Sequence, residues 1–399
     1  MNNEQIIAEE KDCIFQTYAR FPFVITKGKG MKVIDNNGNQ YLDFLGGIAV
    51  DVLGHCHPKV TSAVRKQINK LVHVSNLYYT IPQIKLAKLL CRLSGLNKCF
   101  FANSGAEANE AAIKLARKYA KEKLGADKYE IITMKSSFHG RTMAALSATG
   151  QEKIQKGFEP LLEGFKYAEF GSIDSLKTLI SEKTCAVMLE PVQGEGGVKV
   201  PDAGYLKQVK ELCDEKNIIL ILDEIQTGIG RTGTFFAYEG FGIKPDIVTL
   251  AKGIGGGLPL GVMMANNKVA FGLSAGSHGS TFGGGPVVCV AGLAVLETII
   301  KEKLTKNASE TGAYFIEKLK ELVVRYKSIA VDARGKGLMV GLELTVPGKE
   351  IVNRMAQKGY LINCTAEKVL RFLPPLIVTR RQIDKLILAL DEVLSEAKL

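Results

Sequence analysis

One stretch of the chain limits the possible folds more than any other. Positions 218–222 hold five aliphatic residues in a row, and Asp223 follows directly. An uninterrupted aliphatic run of this length predicts a strand that is buried on both faces, as in a parallel sheet covered by helices. Open sheets of this kind bind ligands beyond the carboxyl ends of their strands. Asp223 is therefore expected at a ligand site, where its carboxylate needs a cation.

A second apolar run ends in the same way. Residues Ile247–Leu250 are followed by Lys252 and by a glycine-rich loop at positions 253–257. Taken alone, such an Asp often caps the next helix and such a Lys is usually solvated. Together they match the needs of pyridoxal phosphate, which takes a carboxylate at its protonated ring nitrogen and a lysine as its Schiff base.

The rest of the pattern predicts an α/β fold. Strand-like and helix-like segments alternate from about residue 97 to residue 290, which indicates a mostly parallel sheet between helices. Outside that region we expect a hairpin at 30–43, an amphipathic helix beyond Thr298 to Tyr326, and short strands near 341–344 and 370–373. We predict a large cofactor-binding domain at 71–295, and a smaller domain formed by an N-terminal segment, 1–70, and a C-terminal part, 296–399.

Composition argues against several classes of protein. The chain has no apolar run near the roughly 20 residues of a membrane helix, and its acidic N-terminus does not fit a secretory or transit peptide. These features predict a cytoplasmic protein. The net charge of +11 comes from scattered lysines, which favours attraction of anionic small molecules over nucleic-acid binding. The eight cysteines form no CxxC pair, and His55 and His57 alone do not complete a metal site, so no metal is predicted.

Three further motifs carry chemistry. The sequence NSGAEANE at 103–110 places Ser104 and Glu107 at capping-box spacing, which predicts a helix start whose free amides and dipole bind an anion such as phosphate. In FHGRT at 138–142, Phe138 could stack on a ring and Arg141 could bind a carboxylate. Arg371 lies in apolar sequence, where a buried guanidinium needs an anion. Two arginines suit substrates that carry two carboxylates.

With these motifs in place, the chain resembles the class III (ornithine-type) pyridoxal-phosphate aminotransferases, which have the type I, aspartate aminotransferase-like fold. The resemblance runs from about Tyr18 to the C-terminus. Its remaining motifs are GGIAV at 46–50, GHCHP at 54–58, EPVQGEGG at 190–197, DEIQTG at 223–228, AKGIGGG at 251–257 and STFG at 280–283. One departure is Gly285, which stands before Pro286 where the family usually has Asn.

The resemblance implies a role for each of these residues. Gly105 and Ala106 would bind the cofactor phosphate together with Thr281 of a neighbouring subunit. Phe138 would stack on the cofactor ring, and Asp223 would pair with the ring nitrogen. Gln226 would lie near the phenolic oxygen, and Lys252 would form the Schiff base. For the substrate, the implied residues are Tyr18, Arg141, Ser280, Arg371 for the glutamate α-carboxylate, and Glu195, which would cover Arg371 when the other donor binds. A shared site of this kind requires a homodimer.

The choice of amino donor follows from two positions. Ornithine aminotransferases have Trp where this chain has His139 and Tyr where it has Ile48, which favours an acylated donor. We therefore expect N2-acetyl-L-ornithine to react with 2-oxoglutarate, giving N-acetyl-L-glutamate 5-semialdehyde and L-glutamate, as in arginine biosynthesis. The alternatives are a sibling enzyme acting on ornithine, succinylornithine, an acetyl-lysine or N-succinyl-diaminopimelate type substrate, or 4-aminobutyrate. Outside the class, an inactive relative serving as a binding module and a basic nucleic-acid-binding protein are the competing interpretations.

Overall fold

The computed structural model describes residues 2–396, so the outermost limits of the predicted domains, residues 1 and 399, lie outside the described residues. The N-terminal part begins with a capped helix and a small antiparallel hairpin, followed by helices that lead to the central sheet. Its elements are α1 (Asn3–Cys13), β1 (Ile25–Lys29), β2 (Lys32–Asp35), β3 (Gln40–Asp43), α2 (Gly46–Ala49), α3 (Pro58–Ile68) and α4 (Ile81–Ser94). The predicted hairpin at 30–43 is confirmed, with β2 antiparallel to β3.

The middle of the chain alternates strands and helices, as predicted. Its strands are β4 (Lys98–Ala102), β5 (Glu130–Met134), β6 (Phe165–Ala168), β7 (Thr184–Leu189), β8 (Ile219–Asp223), β9 (Ile247–Leu250) and β10 (Gly261–Ala265). Its helices are α5 (Gly105–Lys123), α6 (Met143–Ala148), α7 (Glu152–Gln155), α8 (Ile173–Leu179), α9 (Tyr205–Glu215) and α10 (Asn267–Ala270), with 3₁₀ turns at Ala237–Phe241 and Lys252–Gly255.

These seven strands form one sheet in the order β4-β10-β9-β8-β7-β5-β6. Strand β10 is antiparallel to both of its neighbours, whereas β9, β8, β7, β5 and β6 run parallel. Strands β7, β8 and β9 are buried along their whole length, which explains their aliphatic composition. Because they are parallel, the residues that follow them lie along one edge of the sheet.

The C-terminal part adds two long helices and a second small sheet. Its elements are α11 (Pro286–Lys301), α12 (Leu304–Arg325), β11 (Ala330–Lys336), β12 (Met339–Leu344), α13 (Lys349–Gln357), β13 (Tyr360–Leu361), β14 (Asn363–Thr365), β15 (Val369–Phe372) and α14 (Arg380–Ser395). Strands β11, β12, β15 and β14 form one sheet, whereas β13 pairs in parallel with β3 and so joins the N-terminal hairpin. The pairing of β3 with β13 brings the two ends of the chain into one layer. The predicted domain boundaries stay a prediction.

The amphipathic helix predicted beyond Thr298 to Tyr326 is confirmed over Leu304–Arg325, but it is not continuous with the helix that contains Thr298. The helix ends at Lys301, and Lys303 adopts a left-handed backbone with φ 53° before α12 begins at Leu304. No Gly or Pro lies at this break, so the sequence gives no local signal for it. The break between α11 and α12 follows from tertiary packing, since α11 packs against α3 and α4 whereas α12 packs against β11 and α14.

Among the residues that the structure describes, none of the helices combines the length and apolar character of a membrane span.

Candidate active site

A cavity of about 550 Å³ opens at the carboxyl edge of the central sheet. It is lined by the ends of β7, β8 and β9, by the start of α5 and by the loop after β5. Eight of the predicted site residues line it: Gly105, Ala106, Phe138, Arg141, Glu195, Asp223, Gln226 and Lys252. The parallel topology explains this convergence, because each strand delivers its next residues to the same edge.

Asp223 ends β8 and is almost completely buried. Its Oδ2 accepts hydrogen bonds from Asn109 Nδ2 at 2.8 Å and contacts His139 Nδ1 at 2.8 Å, while its Oδ1 accepts from the amide of Ile225 at 3.0 Å. These partners fix the carboxylate against the cavity. Buried Nε2 of His139 and Oδ1 of Asn109 have no hydrogen-bond partner among the described residues. The buried polar cluster is therefore incomplete within the protein, as expected where a polar ligand group completes it.

Lys252 follows β9 and lies in the cavity wall. Its backbone has φ 47°, a left-handed conformation that a lysine adopts only where the surrounding structure imposes it. Loss of hydration in the cavity lowers the pKa of its ammonium group, and the carboxylates of Glu195 and Asp223 partly offset this effect. The side chain is thereby shifted toward the neutral amine that nucleophilic and proton-transfer chemistry requires.

The start of α5 forms the second wall. Ser104 Oγ accepts from the amide of Glu107 at 3.2 Å, so the predicted helix start at Gly105 is confirmed. Glu107 does not complete the capping box with Ser104, because its carboxylate accepts from the amide of Asn103 at 2.5 Å instead. A side chain at position 105 would come within 2.8 Å of Ile225, so only glycine lets the helix start pack this closely. First-turn amides lack intrahelical acceptors and can bind an anion.

Phe138, in the loop after β5, is half-buried and lines the same cavity. The guanidinium of Arg141 lies 5.6 Å from the centre of its ring, and Arg141 itself is exposed at the cavity mouth. His139, between them, is fully buried and turned onto Asp223. His139 also lines the cavity, beside Phe138 and Arg141.

Arg371, on β15, is buried without lining the cavity itself. Its Nη1 lies 2.5 Å from Glu195 Oε1 and donates to Gln226 Oε1 at 3.4 Å, and its Nε donates to Asn363 Oδ1 at 3.2 Å. Burial acts to raise the pKa of Glu195, but the charge and hydrogen bond of Arg371, together with Lys252 and Gln226, outweigh it, so the pKa lies below its usual value. Because Glu195 lines the cavity, the ion pair stands between Arg371 and any ligand.

Three predicted site residues lie outside this cavity. Tyr18 is 71% exposed, and Thr281 is exposed as well. Ser280 accepts hydrogen bonds from Asn103 Nδ2 at 3.2 Å and from the amide of Gly283 at 3.0 Å. Gly285, the departure noted in the sequence, has φ −56° and caps α11, a conformation open to any residue. The roles of these three residues therefore stay predictions.

Glu190 lines the cavity but was not singled out from the sequence. It is buried, and that burial raises its pKa to about 7. A signal was present: Glu190 follows the buried strand β7 just as Asp223 ends β8. Asn109 was quoted only as part of a helix-start motif, and its contact with Asp223 depends on the pairing of distant segments.

The residues of the cavity fit pyridoxal phosphate. A helix start with free amides matches a phosphate, an aromatic side chain matches the face of a pyridine ring, and a buried carboxylate with polar atoms left unsatisfied beside it matches a protonated ring nitrogen. An amine of lowered pKa completes the set. No group of His, Cys, Asp and Glu residues suited to a metal ion occurs within residues 2–396.

Comparisons with known proteins agree with this site. The family model "Aminotransferase class-III" matches residues 14–394. The chain is 55% identical to the acetylornithine aminotransferase of Methanocaldococcus jannaschii over all of both chains, and 51% identical to that of Caldanaerobacter subterraneus over 98% of this chain and 100% of the relative. Among solved structures, the ornithine aminotransferase of Toxoplasma gondii has a TM-score of 0.95 at 34% identity, covering 99% of this chain and 95% of its own.

The acetylornithine aminotransferase of Elizabethkingia anophelis has a TM-score of 0.90 at 31% identity, with both chains fully covered. A further Toxoplasma gondii structure is described as having partial occupancy of pyridoxal phosphate at its active site. The family match spans nearly the whole chain, and the central sheet, cavity and motif residues described above accord with it. This chain is a member of the class III aminotransferases, with the α/β fold of that family.

Proposed function

We propose that this protein transfers the amino group of N2-acetyl-L-ornithine to 2-oxoglutarate, giving N-acetyl-L-glutamate 5-semialdehyde and L-glutamate. Pyridoxal phosphate is the cofactor, and the active form is a cytoplasmic homodimer that serves arginine biosynthesis. The observation that carries the choice of substrates is the buried ion pair of Glu195 with Arg371 at the cavity wall. The names of the most similar curated relatives support the same donor.

The ion pair accounts for the acceptance of two unlike donors. Glutamate reacts at its α-amine, so its α-carboxylate comes close to the reacting carbon and needs Arg371. Acetylornithine reacts at its δ-amine and places an uncharged chain there, which would leave a buried guanidinium without a partner. Such a group is costly in a low-dielectric site, and Glu195 restores neutrality when no substrate carboxylate is present. Glu195 therefore works as a gate over Arg371.

The cofactor would be held by residues of the cavity floor. When bound, pyridoxal phosphate supplies a carbonyl that takes up the amino group and a ring that withdraws electrons from the reacting carbon. We assign the phosphate to Gly105 and Ala106 with Thr281 of a second subunit, the ring face to Phe138, the ring nitrogen to Asp223, the phenolic oxygen to Gln226, and the covalent link to Lys252.

The protein residues then carry out the proton chemistry. Asp223, held by Asn109 and His139, would supply the carboxylate that keeps the ring nitrogen protonated. Lys252, whose ammonium pKa is lowered by burial, would hold the cofactor and, as a free amine, would serve as the base that moves the proton. One site serves both half-reactions, so ping-pong kinetics are expected.

Substrate recognition would extend to the rim. Arg141 lies at the cavity mouth beside Phe138, where it can bind the carboxylate of either donor. Tyr18 and Ser280 lie outside the cavity of their own chain, so a second subunit would bring the rim together. An exposed apolar surface next to Ser280 supports this arrangement, since such surfaces mark contact sites; it includes Leu77, Tyr78, Tyr79, Ile81 and Phe282.

A panel of donors tests the proposal. The purified protein is mixed with 2-oxoglutarate and, in turn, with acetylornithine, ornithine, succinylornithine, N-succinyl-diaminopimelate and 4-aminobutyrate, and glutamate formation is followed. We expect the highest kcat/KM with acetylornithine, and none of this turnover in Lys252→Ala. A preference of tenfold or more for ornithine or 4-aminobutyrate would assign the chain to a sibling activity instead.

A further inference from the structure

Glu190 connects two loops of the cavity through a single carboxylate. It follows β7 directly and is only 5% exposed. Its Oε1 accepts from the amide of Phe138 at 3.0 Å, and its Oε2 accepts from the amide of Gly194 at 3.1 Å. The first amide belongs to residues 135–142, here called the Phe138 loop, and the second to residues 193–197, the Glu195 turn.

The two loops also pack closely against each other. A side chain at Gly196 would come within 2.8 Å of the Ser136 carbonyl oxygen, so the backbones are in close contact there. Gln193 Nε2 donates to the Lys135 carbonyl at 2.9 Å. The Glu190 carboxyl group adds two hydrogen bonds to this connection, one to each loop.

A movement of the Glu195 turn would also displace Gln226 and Arg371. A side chain at Gly194 would come within 2.1 Å of Gln226 Oε1, so the turn lies directly on the Gln226 amide. That same oxygen accepts from Arg371 Nη1, which also pairs with Glu195. The position of Gly194 therefore affects both sides of the ion pair, and Glu190 holds Gly194.

We propose that Glu190 is a positioning residue that couples the Phe138 loop to the Glu195 turn, so that the ring-facing wall and the gate over Arg371 are held in one arrangement. The functional part of this inference rests on the proposed transamination of two donors. The chemistry requires a carboxyl group with two acceptor oxygens. Glutamine at this position offers one acceptor and an amide nitrogen that would face a backbone N–H. Because the two loops pack against each other, loss of either hydrogen bond should loosen both of them.

The chain provides a matched control in Glu224. It lies directly after Asp223 at the end of the neighbouring strand, is fully buried, and accepts from the amides of Ala237 at 2.7 Å and Tyr238 at 2.8 Å. It does not line the cavity. Burial raises the pKa of both residues, Glu190 to about 7 and Glu224 to about 8. Glu→Gln at either position thus disturbs a similar buried carboxyl with two amide donors.

Hydrogen–deuterium exchange on the full chain with saturating cofactor tests the coupling without reference to turnover. We expect Glu190→Gln to speed the exchange of the backbone amides of residues 135–142 and of residues 193–197 together. The expected increase is about tenfold, for about 1.4 kcal/mol of lost protection. Exchange of residues 236–239 should stay unchanged. Glu224→Gln should do the reverse. Faster exchange in only one loop, or in neither, would overturn the coupling. Where Glu190→Gln does not fold, Glu190→Asp is compared in the same way, since its shorter side chain cannot reach both amides.

Single-turnover rates of the two half-reactions test the consequence for the gate. Because acetylornithine needs the ion pair closed, Glu190→Gln should slow the acetylornithine half-reaction about tenfold more than the glutamate half-reaction. Glu224→Gln should leave the ratio of the two rates unchanged. Equal losses in both half-reactions would mean that Glu190 only supports the fold. Failure of the proposed function would show differently, as a wild-type protein that does not react with acetylornithine while the exchange result stands.

Discussion

The floor and the rim of the site are built in different ways. On the floor, Asp223 and Lys252 follow neighbouring buried strands, and every contact that fixes Asp223 comes from the same chain. On the rim, Tyr18 and Thr281 are exposed and lie outside the cavity of their own chain. The difference teaches that one copy of the chain places the charged groups of the cavity, whereas the predicted contacts at the rim would need the second copy that we propose.

The sharpest way to test the floor is to remove its amine. Lys252→Ala should abolish turnover and the covalent adduct that borohydride reduction traps on the peptide containing residue 252, because Lys252 is the one lysine within residues 2–396 that lines the cavity. Mass spectrometry of the reduced, digested protein is the measurement. Lys216→Ala, at an exposed lysine paired with Glu215, is the control and should behave as wild type. An adduct on a different lysine would overturn the assignment.

Asp223→Asn tests whether the floor works through charge. The amide keeps the size of the side chain but cannot keep a ring nitrogen protonated, so transamination should fall by roughly 3 to 6 kcal/mol in transition-state stabilisation, at about 1.4 kcal/mol per tenfold. Steady-state rates give the loss, and thermal unfolding reports on the fold. Asp246→Asn removes another buried carboxylate, which accepts from the Leu220 amide at 3.0 Å at the opposite end of β8, and serves as the control. Near-normal turnover in Asp223→Asn would refute the charge argument.

The Glu195–Arg371 ion pair lies between floor and rim. Substitution of either residue should affect the half-reactions of glutamate and acetylornithine differently. Arg371→Ala should mainly slow the glutamate half-reaction, by about a hundredfold, since a desolvated charged partner is worth about 3 kcal/mol. Glu195→Ala should favour glutamate, which no longer displaces a competitor, and weaken the acetylornithine half-reaction. Arg141→Ala should slow both. Single-turnover rates for each donor decide the matter, and equal losses in the first two variants would leave these residues a structural role only.

A mixed dimer tests the rim and carries the smallest expected effect. Thr281→Ala should weaken binding of the cofactor about tenfold, or about 1.4 kcal/mol, through loss of one phosphate contact. If that contact comes from the second subunit, mixing Lys252→Ala with Thr281→Ala creates dimers in which one site has an intact Lys252 and faces an intact Thr281. Affinity at that site should recover toward the wild-type value. No recovery in purified mixed dimers would place Thr281 in the site of its own chain or outside any site.

The floor could be predicted from the sequence because its signals are local. An aliphatic run followed by a single charged residue identifies both the buried strand and the chemical group at its end, as for Asp223 and Lys252. The contacts of Asp223 with Asn109 and His139 could not be predicted in the same way, because they join three separate segments. The dual role of the Glu190 carboxylate was also missed, since two backbone amides leave no mark in the sequence.

The missed break before α12 has a related cause. Periodicity reports which residues face the core, and α11 and α12 both bury apolar side chains, so it does not show where one helix ends and the next begins. The left-handed Lys303 between them is imposed by packing, without a Gly or Pro to announce it. The roles predicted for Tyr18 and Thr281 came from the family resemblance alone, because no local pattern in the sequence places either residue at the cavity.

The pairing of β3 with β13 bears on how the protein is made. Leu42 and Tyr360 are partners in one small parallel ladder, so β3 cannot complete its pairing until β13, more than 300 residues later in the chain, is available. Contacts between such distant segments close late, since a long loop must be ordered first. During synthesis the central sheet can form while the N-terminal hairpin still lacks its last strand. We therefore expect the nascent chain to expose the edge of β3 until β13 has been synthesised, which leaves this short strand open to chaperone binding during synthesis.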